Sequence, residues 1–286
     1  METLSSVRRP VRELRPGDHA WLPYSGEDEQ RHVVGTFVRD GLEAAHKVIY
    51  LAGSDDVDVP GMNGVPPRPG LLTVVPLGNA RRADGRFDPG TVLAALAGEI
   101  AGAEDGDFTT IRVAADMTFA LDLPDGLREL LRCEQDIERA IGPSTRVTAI
   151  CQIDRRRLTA DARTALAATH STFVTPNPEF ADSVLQIVRT FDPVGLSLLG
   201  ELDASRHTVL DQALNTVLGA SGGEEIHLDL AGLGFIDLGA LNMLADVAAR
   251  RSGSGPLVLD RMPLQLRTIM ETVGWHMLPG LRLGTV

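Results

Sequence analysis

The stretch IHLDLAGLGFIDLGALNML, residues 226–244, changes its hydrophobic pattern at Asp237. The apolar residues before Asp237 predict a buried strand that reaches FID through a short turn. The residues after it predict an amphipathic helix. The apolar face of this helix consists of Leu241, Leu244, Ala245 and Ala248. Glycine-bearing junctions between a strand and a helix often hold anion sites and switches. The turn here is formed by Leu238, Gly239 and Ala240, which carry no hydroxyl, thiol or imidazole.

The sequence on either side of this stretch predicts a small α/β unit over residues 185–286. Two alternating segments, LQIVRT and GLSLLGEL, predict strands, and ASRHTVLDQALNTVLG predicts a helix that Asp203 is placed to cap. PLVLDRM and PLQLRTIMETVG continue with a strand and a helix. We therefore expect a compact sheet of about four strands with helices packed against it.

The first part of the chain alternates strand-like and helix-like segments up to TPNPEF, which marks the boundary of a first domain over residues 1–180. Strands are predicted at GDHAWLPY, KVIYLAG, LLTVVPL, TTIRVAADMTFAL and RVTAICQID. One helix is predicted to start at Ser25, where Asp28 completes a capping box, and another has Pro89 in its first turn. A stretch rich in Pro and Gly at 56–70 predicts a loop within the domain. The alternation predicts an α/β fold with a mostly parallel sheet and helices on both faces.

The composition argues against binding to nucleic acid or to an anionic membrane. The 286 residues include 27 Lys and Arg against 39 Asp and Glu, a formal net charge of −12, whereas phosphate binding needs concentrated basic side chains. The run Arg155, Arg156 and Arg157 at a predicted strand end is interpreted as a solvated rim. No apolar run approaches the length that crosses a bilayer, and the N-terminal segment has no apolar signal core. We therefore expect a cytoplasmic protein.

Cysteine and histidine spacing indicates neither a disulfide framework nor a metal site. Cys133 and Cys151 are too few for either on their own, and the 7 histidines show no HExxH or paired-Cys spacing. Cys151 and His170 could form a nucleophilic pair, although a small buried residue in an apolar strand is the favoured interpretation of Cys151. Carboxylates that could meet at the ends of the sheet are Asp116, Glu134 and Asp154, but the sequence gives no distance between them. We expect no metal and no cofactor.

Signatures of nucleotide hydrolysis and of covalent catalysis are missing from the sequence. A phosphate-binding P-loop needs GxxxxGK[ST]. The sequence has a single lysine, Lys47, and no glycine-rich loop precedes it. The first strand-to-helix turn, YSGEDEQ, carries Glu27, Asp28 and Glu29, which suit a helix N-terminus and repel phosphate. There is also no GxSxG motif. We expect a protein that is not an enzyme; the alternative is a degenerate nucleotide- or metabolite-binding protein with weak enzymatic activity.

Three segments of the second unit, GLSLLGELDASRHTVLDQAL, IHLDLAGLGFIDLGALNML and PLQLRTIMETVGWHMLP, resemble a STAS domain. STAS domains occur in anti-sigma factor antagonists and in sulfate-transporter tails. In that family the strand-to-helix turn usually reads Asp-Ser-Ser/Thr-Gly, and a kinase-like anti-sigma factor phosphorylates a hydroxyl there, which ejects the partner. Here Asp237 is kept, while Leu238 and Gly239 occupy the hydroxyl positions. The resemblance implies a partner-binding surface made of Asp203, Asp237, Leu238, Gly239, Ala240 and Asn242.

The first unit resembles a MEDS domain, a sensory module of methanogens and methylotrophs. The resemblance rests on the colinear segments RPGDHAWLPYSGEDE, FVRDGLEAAHKVIYLAG, GRFDP, ADMTFAL, LLRCEQDIERAI and AICQIDRRRLTADARTALAATH. It implies a fold similar to that of recombinase-like P-loop ATPases without the P-loop, and the sensing of a small, apolar, hydrocarbon-derived ligand. The family motifs place the following residues near such a ligand pocket: His19, Tyr24, Met117, Phe119, Glu134, Cys151, Asp154 and His170.

Together these features predict a two-domain cytoplasmic signalling protein that regulates transcription. The first domain receives an input, and the second binds an anti-sigma factor or a kinase-like regulator through the turn after Asp237. Because the turn has no hydroxyl, we expect binding that does not depend on the kinase activity of the partner. A scaffold that self-associates as a homodimer and binds no ligand stays open at this point.

Overall fold

The computed structural model describes residues 7–54, 58–64, 68–251 and 253–284. Parts of the predicted loop at 56–70 and the first six residues of the N-terminal segment therefore lie outside the described residues. The chain divides into two compact units between Pro176 and Asn177. Among the described helices, none combines the length and the apolar character needed to cross a membrane.

Within the described residues, the first unit is built on a seven-stranded sheet in which every neighbouring pair runs parallel. Its strands are β1 (Val7–Pro10), β2 (His19–Tyr24), β3 (Lys47–Ala52), β4 (Leu72–Pro76), β5 (Ile111–Asp116), β6 (Val147–Asp154) and β7 (Thr172–Thr175). Their order across the sheet is β1-β7-β2-β6-β5-β3-β4. The prediction of a mostly parallel sheet is confirmed.

Helices cover both faces of this sheet, as predicted. They are α1 (Glu27–Glu43), α2 (Pro89–Asp105), α3 (Gly126–Ile141) and α4 (Ala160–Ala167). Successive residues of a strand point to opposite faces, so Val48 and Tyr50 of β3 pack in the core beneath α1. Ile49 and Leu51 pack in the other core, with residues of α2, α3 and α4.

The capping box predicted at the start of α1 is wrong. The helix begins at Glu27 with Gly26 as its N-cap, and the backbone N–H and the hydroxyl of Ser25 both donate to Glu29, at 2.7 and 2.6 Å. Ser25 lies one residue before the N-cap position, so its partner lies four residues away rather than three. At α2 the prediction is confirmed, because Pro89 opens the helix and Asp88 caps it.

The second unit has more strands than predicted, with a six-stranded sheet in its described part. The strands are β8 (Pro178–Ala181), β9 (Leu185–Phe191), β10 (Val194–Leu202), β11 (Ile226–Ile236), β12 (Leu257–Asp260) and β13 (Leu281–Leu283), in the order β13-β12-β11-β10-β9-β8. The two strands that the sequence did not predict, β8 and β13, form the edges and are too short to show a period. The strand β11 is continuous through FID rather than broken by a turn, because extra residues in β11 at two register shifts keep it paired with β10 as far as Ile236.

Three helices of this unit, α5 (His207–Ala220), α6 (Leu238–Arg250) and α7 (Leu264–Thr272), pack on the sheet in the described ranges. Leu210 of α5, Leu244 of α6 and Met270 of α7 share one core with the inward-facing residues of the strands. The strand β11 runs directly into α6. The turn that the sequence singled out therefore lies at one end of the sheet, next to the start of α5.

Candidate functional site

A buried cluster of polar side chains lies between the sheet and α3 in the first unit. His19 opens β2, and Cys151 lies on the neighbouring strand β6, where it pairs with Trp21. Trp21 follows His19 by two residues on the same strand and lies opposite Cys151, so all three side chains share the face that α3 covers. The helix contributes Glu134, and His170 comes from the segment just before β7.

Four of the eight residues predicted for the ligand pocket meet in this cluster. Oε2 of Glu134 lies 3.2 Å from Nε2 of His19 and 3.3 Å from Nε2 of His170. The other carboxylate oxygen, Oε1, accepts from Cys151 Sγ at 2.8 Å. All four residues are buried. The polar groups of these four residues therefore face one another inside the unit.

Two residues that the sequence did not single out complete the cluster. Glu138 Oε2 lies 3.1 Å from Nδ1 of His19, and the Trp21 ring stacks on His170 with 5.9 Å between the ring centroids. Glu138 lies one helical turn after Glu134 on α3, so the i, i+4 spacing was a signal that the two carboxylates share a face. No comparable pattern points to Trp21, which resembles any core aromatic residue.

The side chains of this cluster shift the pKa values of one another. Burial lowers the pKa of His19, but the contacts with Glu134 and Glu138 outweigh it and raise the pKa to about 9. Burial raises the pKa of Glu134, but the two imidazoles outweigh it and hold this pKa far below the usual range. Burial, with the charge of Glu134, raises the pKa of Cys151 well above its usual value. A protonated thiol is a weak nucleophile, so the geometry does not favour the Cys151–His170 pair as a nucleophile.

The other four predicted pocket residues lie elsewhere in the unit. Tyr24 and Asp154 end β2 and β6 with the opposite side-chain parity, so they face the other side of the sheet. The Tyr24 hydroxyl lies 3.2 Å from Thr118 Oγ1. Met117 is fully buried in the core, and the Phe119 ring packs edge-on against Phe87.

Of the carboxylates Asp116, Glu134 and Asp154, only the first and the last lie at the same edge of the sheet. Asp116 and Asp154 lie at the carboxyl ends of β5 and β6, whereas Glu134 projects from α3 onto the opposite face. Asp154 pairs with Arg156 at 2.7 Å. A surface cleft of about 690 Å³ lies at this edge, and it is lined by Asp116 and Phe119 together with Arg81 and Arg157. The sheet therefore separates Glu134 from the other two carboxylates.

The turn of the second unit is held by a contact between two elements. Asp237 is the N-cap of α6, and its Oδ1 accepts from the backbone N–H of Ala240 at 2.7 Å. The same oxygen lies 2.8 Å from Nε2 of His207, the first residue of α5. His207 was missed in the sequence because nothing in its own helix pattern indicates a partner 30 residues away.

The residues predicted to bind a partner differ in their exposure. Leu238 is 67% exposed, and Phe235, the last residue but one of the strand before it, is 50% exposed. Gly239 and Asn242 are exposed, Asp203 and Asp237 are half-buried, and Ala240 is fully buried and offers only its backbone. We define the turn surface as Phe235, Leu238, Gly239 and Asn242.

Gly239 is constrained by its neighbour. A Cβ atom at this position would lie 2.5 Å from Cε1 of His207, which is too close for an undisturbed contact. Any side chain at position 239 therefore has to displace the imidazole that bonds Asp237. Leu238 is the better position for a change of surface chemistry at this turn.

Comparison with known proteins assigns both units. A family model described as MEthanogen/methylotroph, DcmR Sensory domain (MEDS), matches residues 18–171. The chain belongs to the MEDS family. A second model, described as Mlab, STAS domain, matches residues 185–282. Both resemblances seen in the sequence are confirmed, and the protein is a sensory and regulatory protein with a STAS module.

The chain was also compared with solved structures and with curated proteins. A solved structure, the cytoplasmic domain of EssC, is 10% identical over 94% of this chain and 81% of its own length, with a TM-score of 0.31. That TM-score is too low to establish a shared fold. No curated protein matches the chain.

Substitution of Asp237 by asparagine is expected to weaken the acid sensitivity of α6 in the STAS unit. The Ala240 N–H lowers the pKa of Asp237 most, burial opposes this, and His207 lowers the pKa further. Because the pKa is lower in the folded chain, the stabilisation is complete above about pH 4–5, near the unfolded value, and is lost as the pH falls through the folded pKa. Asparagine still caps a helix but does not titrate.

Amide hydrogen exchange of peptides from α6, followed from neutral to acid pH, measures this effect. The wild-type chain should lose protection as the pH falls, and Asp237→Asn should show a flatter profile. Asp246→Asn, an exposed position on the same helix, is the control and should follow the wild type. Equal acid profiles for Asp237→Asn and the wild type would rule out the titration of Asp237 as the cause.

Proposed function

We propose that this chain is a cytoplasmic signalling protein whose MEDS unit receives a chemical input and whose STAS unit binds an anti-sigma factor or a kinase-like regulator. The observation that carries the proposal is the turn surface. Phe235 and Leu238 expose 50% and 67% of their surface beside an N-cap that holds α6 in place. Exposed apolar side chains grouped on a protein surface mark sites of protein–protein interaction.

Phosphorylation of a hydroxyl or an imidazole in the turn itself is excluded, because residues 234–245 contain no serine, threonine, tyrosine or histidine. The nearby hydroxyl of Ser205 donates to Asp203 at 2.6 Å and belongs to the cap of the turn before α5. We therefore propose that binding is controlled by the MEDS unit or by protein abundance. The usual addition of phosphate at this helix N-terminus would play no part.

The enzymatic alternative has less support. The turn between β2 and α1, where a P-loop would lie in an ATPase, exposes Glu27 and Asp28, and Glu29 is bound to Ser25. Three carboxylates at this point oppose the binding of a phosphate. In the cluster beneath α3 the thiol of Cys151 stays protonated. These observations favour a binding function for the MEDS unit.

Binding of the partner is expected to be unaffected by ATP. The full chain is immobilised, the protein that it captures from an extract of the source organism is identified, and the purified pair is titrated with and without prior incubation in ATP and Mg²⁺. We expect the same Kd in both titrations and no phosphate on the chain by mass spectrometry. Release of the partner together with phosphate at any residue of this chain would contradict the proposed mode of control.

A further inference from the structure

Three ligand atoms converge inside the MEDS unit without a hydrogen-bond partner among the described residues: Nε2 of His19, Oε2 of Glu134 and Nε2 of His170. These atoms all lie within 4.8 Å of one another. The three side chains are at most 1% exposed. Although Glu134 lies close to both rings, none of these contacts has hydrogen-bond geometry. Buried polar atoms are rarely left unpaired in folded proteins.

The other nitrogen of each ring is already engaged. Nδ1 of His19 faces the carboxylate of Glu138 at 3.1 Å, and Nδ1 of His170 faces the carbonyl of Leu166 at 2.9 Å. Carboxylates and carbonyls only accept hydrogen bonds, so each Nδ1 carries the hydrogen. Whenever Nε2 of a ring carries no proton, its lone pair is therefore directed towards Glu134.

A single proton satisfies this arrangement only in part. A proton on Nε2 of His19 would face Glu134, but it would leave Nε2 of His170 without a partner. A metal ion would accept an electron pair from all three atoms at once. In tetrahedral coordination with bonds of about 2.0–2.1 Å, neighbouring ligand atoms are about 3.3–3.4 Å apart. The two measured separations from Glu134, 3.2 and 3.3 Å, match that spacing.

We propose that His19, Glu134 and His170 form a site for a divalent transition metal ion of the zinc class. Two imidazoles and one carboxylate are a donor set that suits zinc, and three protein ligands leave a fourth position for water or for a small ligand. The sequence did not predict this site, because its ligands come from three elements and follow no short motif. The proposal does not depend on the partner of the STAS unit.

The surroundings of the three ligands support the proposal. Histidine ligands of zinc usually donate their second N–H to a carboxylate or a backbone carbonyl, which orients the ring, and Glu138 and Leu166 supply these acceptors. Cys151 donates to Oε1 of Glu134, which leaves Oε2 to face the rings. Cys151 therefore orients the carboxylate and is not assigned as a metal ligand.

The test uses the full chain, stripped with a chelator and then titrated with Zn²⁺ against a chromophoric competitor. We expect tight binding at a ratio of one ion per chain, and a rise in the unfolding temperature of the MEDS unit with Zn²⁺. Co²⁺ should give the visible absorption of a tetrahedral site with nitrogen and oxygen ligands. An intense sulfur-to-cobalt charge-transfer band would overturn the assigned ligand set.

Two variants locate the site. His170→Gln removes a ligand and should abolish stoichiometric binding. Glu138→Gln leaves all three ligands in place and should weaken Zn²⁺ binding by about 10–100-fold while the chain stays folded. The control is Asp136→Asn, a partly exposed position on the same helix, which should leave the affinity unchanged. The stripped chain failing to bind Zn²⁺, or Glu138→Gln binding it as tightly as the wild type, would overturn the proposal.

Discussion

Replacement of Glu134 by alanine is expected to lower the free energy of unfolding of the MEDS unit by about 3–5 kcal/mol with all metal chelated. Glu134 is fully buried, and its Oε2 lies 3.2 and 3.3 Å from two imidazoles that are also buried. Without it, His170 faces no carboxylate and the thiol of Cys151 loses its acceptor. A buried polar group left without its partner costs more than the interaction contributed.

Glu129→Ala is the matched control for this prediction. Glu129 lies on the same helix and is nearly as buried, but its partners, including Arg128 and Arg132, are about half exposed. Those arginines regain water when the carboxylate is removed, so the loss should be about 1 kcal/mol or less. The comparison shows whether the loss of stability depends on the burial of the glutamate itself or on the burial of the partner side chains that remain after its removal.

Tryptophan fluorescence can follow the unfolding of the MEDS unit alone. The chain has 2 tryptophans; Trp21 is buried beside His170, and Trp275 packs in the core of the STAS unit. In a Trp275→Phe background the emission comes from Trp21, and a urea titration gives the free energy of unfolding. Similar losses for Glu134→Ala and Glu129→Ala would contradict the prediction.

Much of the fold could be predicted from the sequence because its long elements have clear periods. The strands β3 and β6 were predicted within a few residues of their ends, and Pro89 was predicted in the first turn of α2. The elements that were missed are short strands such as β1 and β13, of four and three residues. At that length neither alternation nor composition distinguishes a strand from a loop.

The cluster beneath α3 could be predicted only as separate residues. The cluster forms because β2 lies between β6 and β7 in the sheet, which brings together His19, Glu134 and His170. The local sequence pattern does not indicate the order of the strands. Side-chain parity then separates Tyr24 and Asp154 from this group. A predicted pocket of eight residues thus becomes one buried cluster and a second group at the carboxyl edge of the sheet.

In contrast to the buried cluster, the turn after Asp237 could be predicted from the local sequence pattern. Asp237 has a side chain that caps helices, and the apolar residues after it give α6 its register. Only the contact with His207 needed the structure, because that residue belongs to another helix. What the structure adds is the exposure of each side chain, which identifies Leu238 rather than Gly239 as the position to test.

Leu238→Glu is expected to reduce the affinity of the STAS unit for its partner by about 30–1000-fold, the range for a residue that anchors an interface. The substitution removes an apolar anchor and places a carboxylate where the partner would have to bury it unpaired. Folding should be unaffected, because Leu238 is 67% exposed and a negative charge in the first turn of α6 suits the helix dipole.

Leu264→Glu provides a control of the same chemistry. Leu264 is 68% exposed and is also the first residue of a helix, α7, so both variants change the charge and apolar surface in the same way. Titration calorimetry with the captured partner should show the loss for Leu238→Glu, while Leu264→Glu stays close to the wild type. If both variants lost affinity equally, binding would depend on net charge rather than on the turn surface. If neither did, the partner would bind elsewhere on the chain, and the exposed apolar residues at this turn would need another explanation.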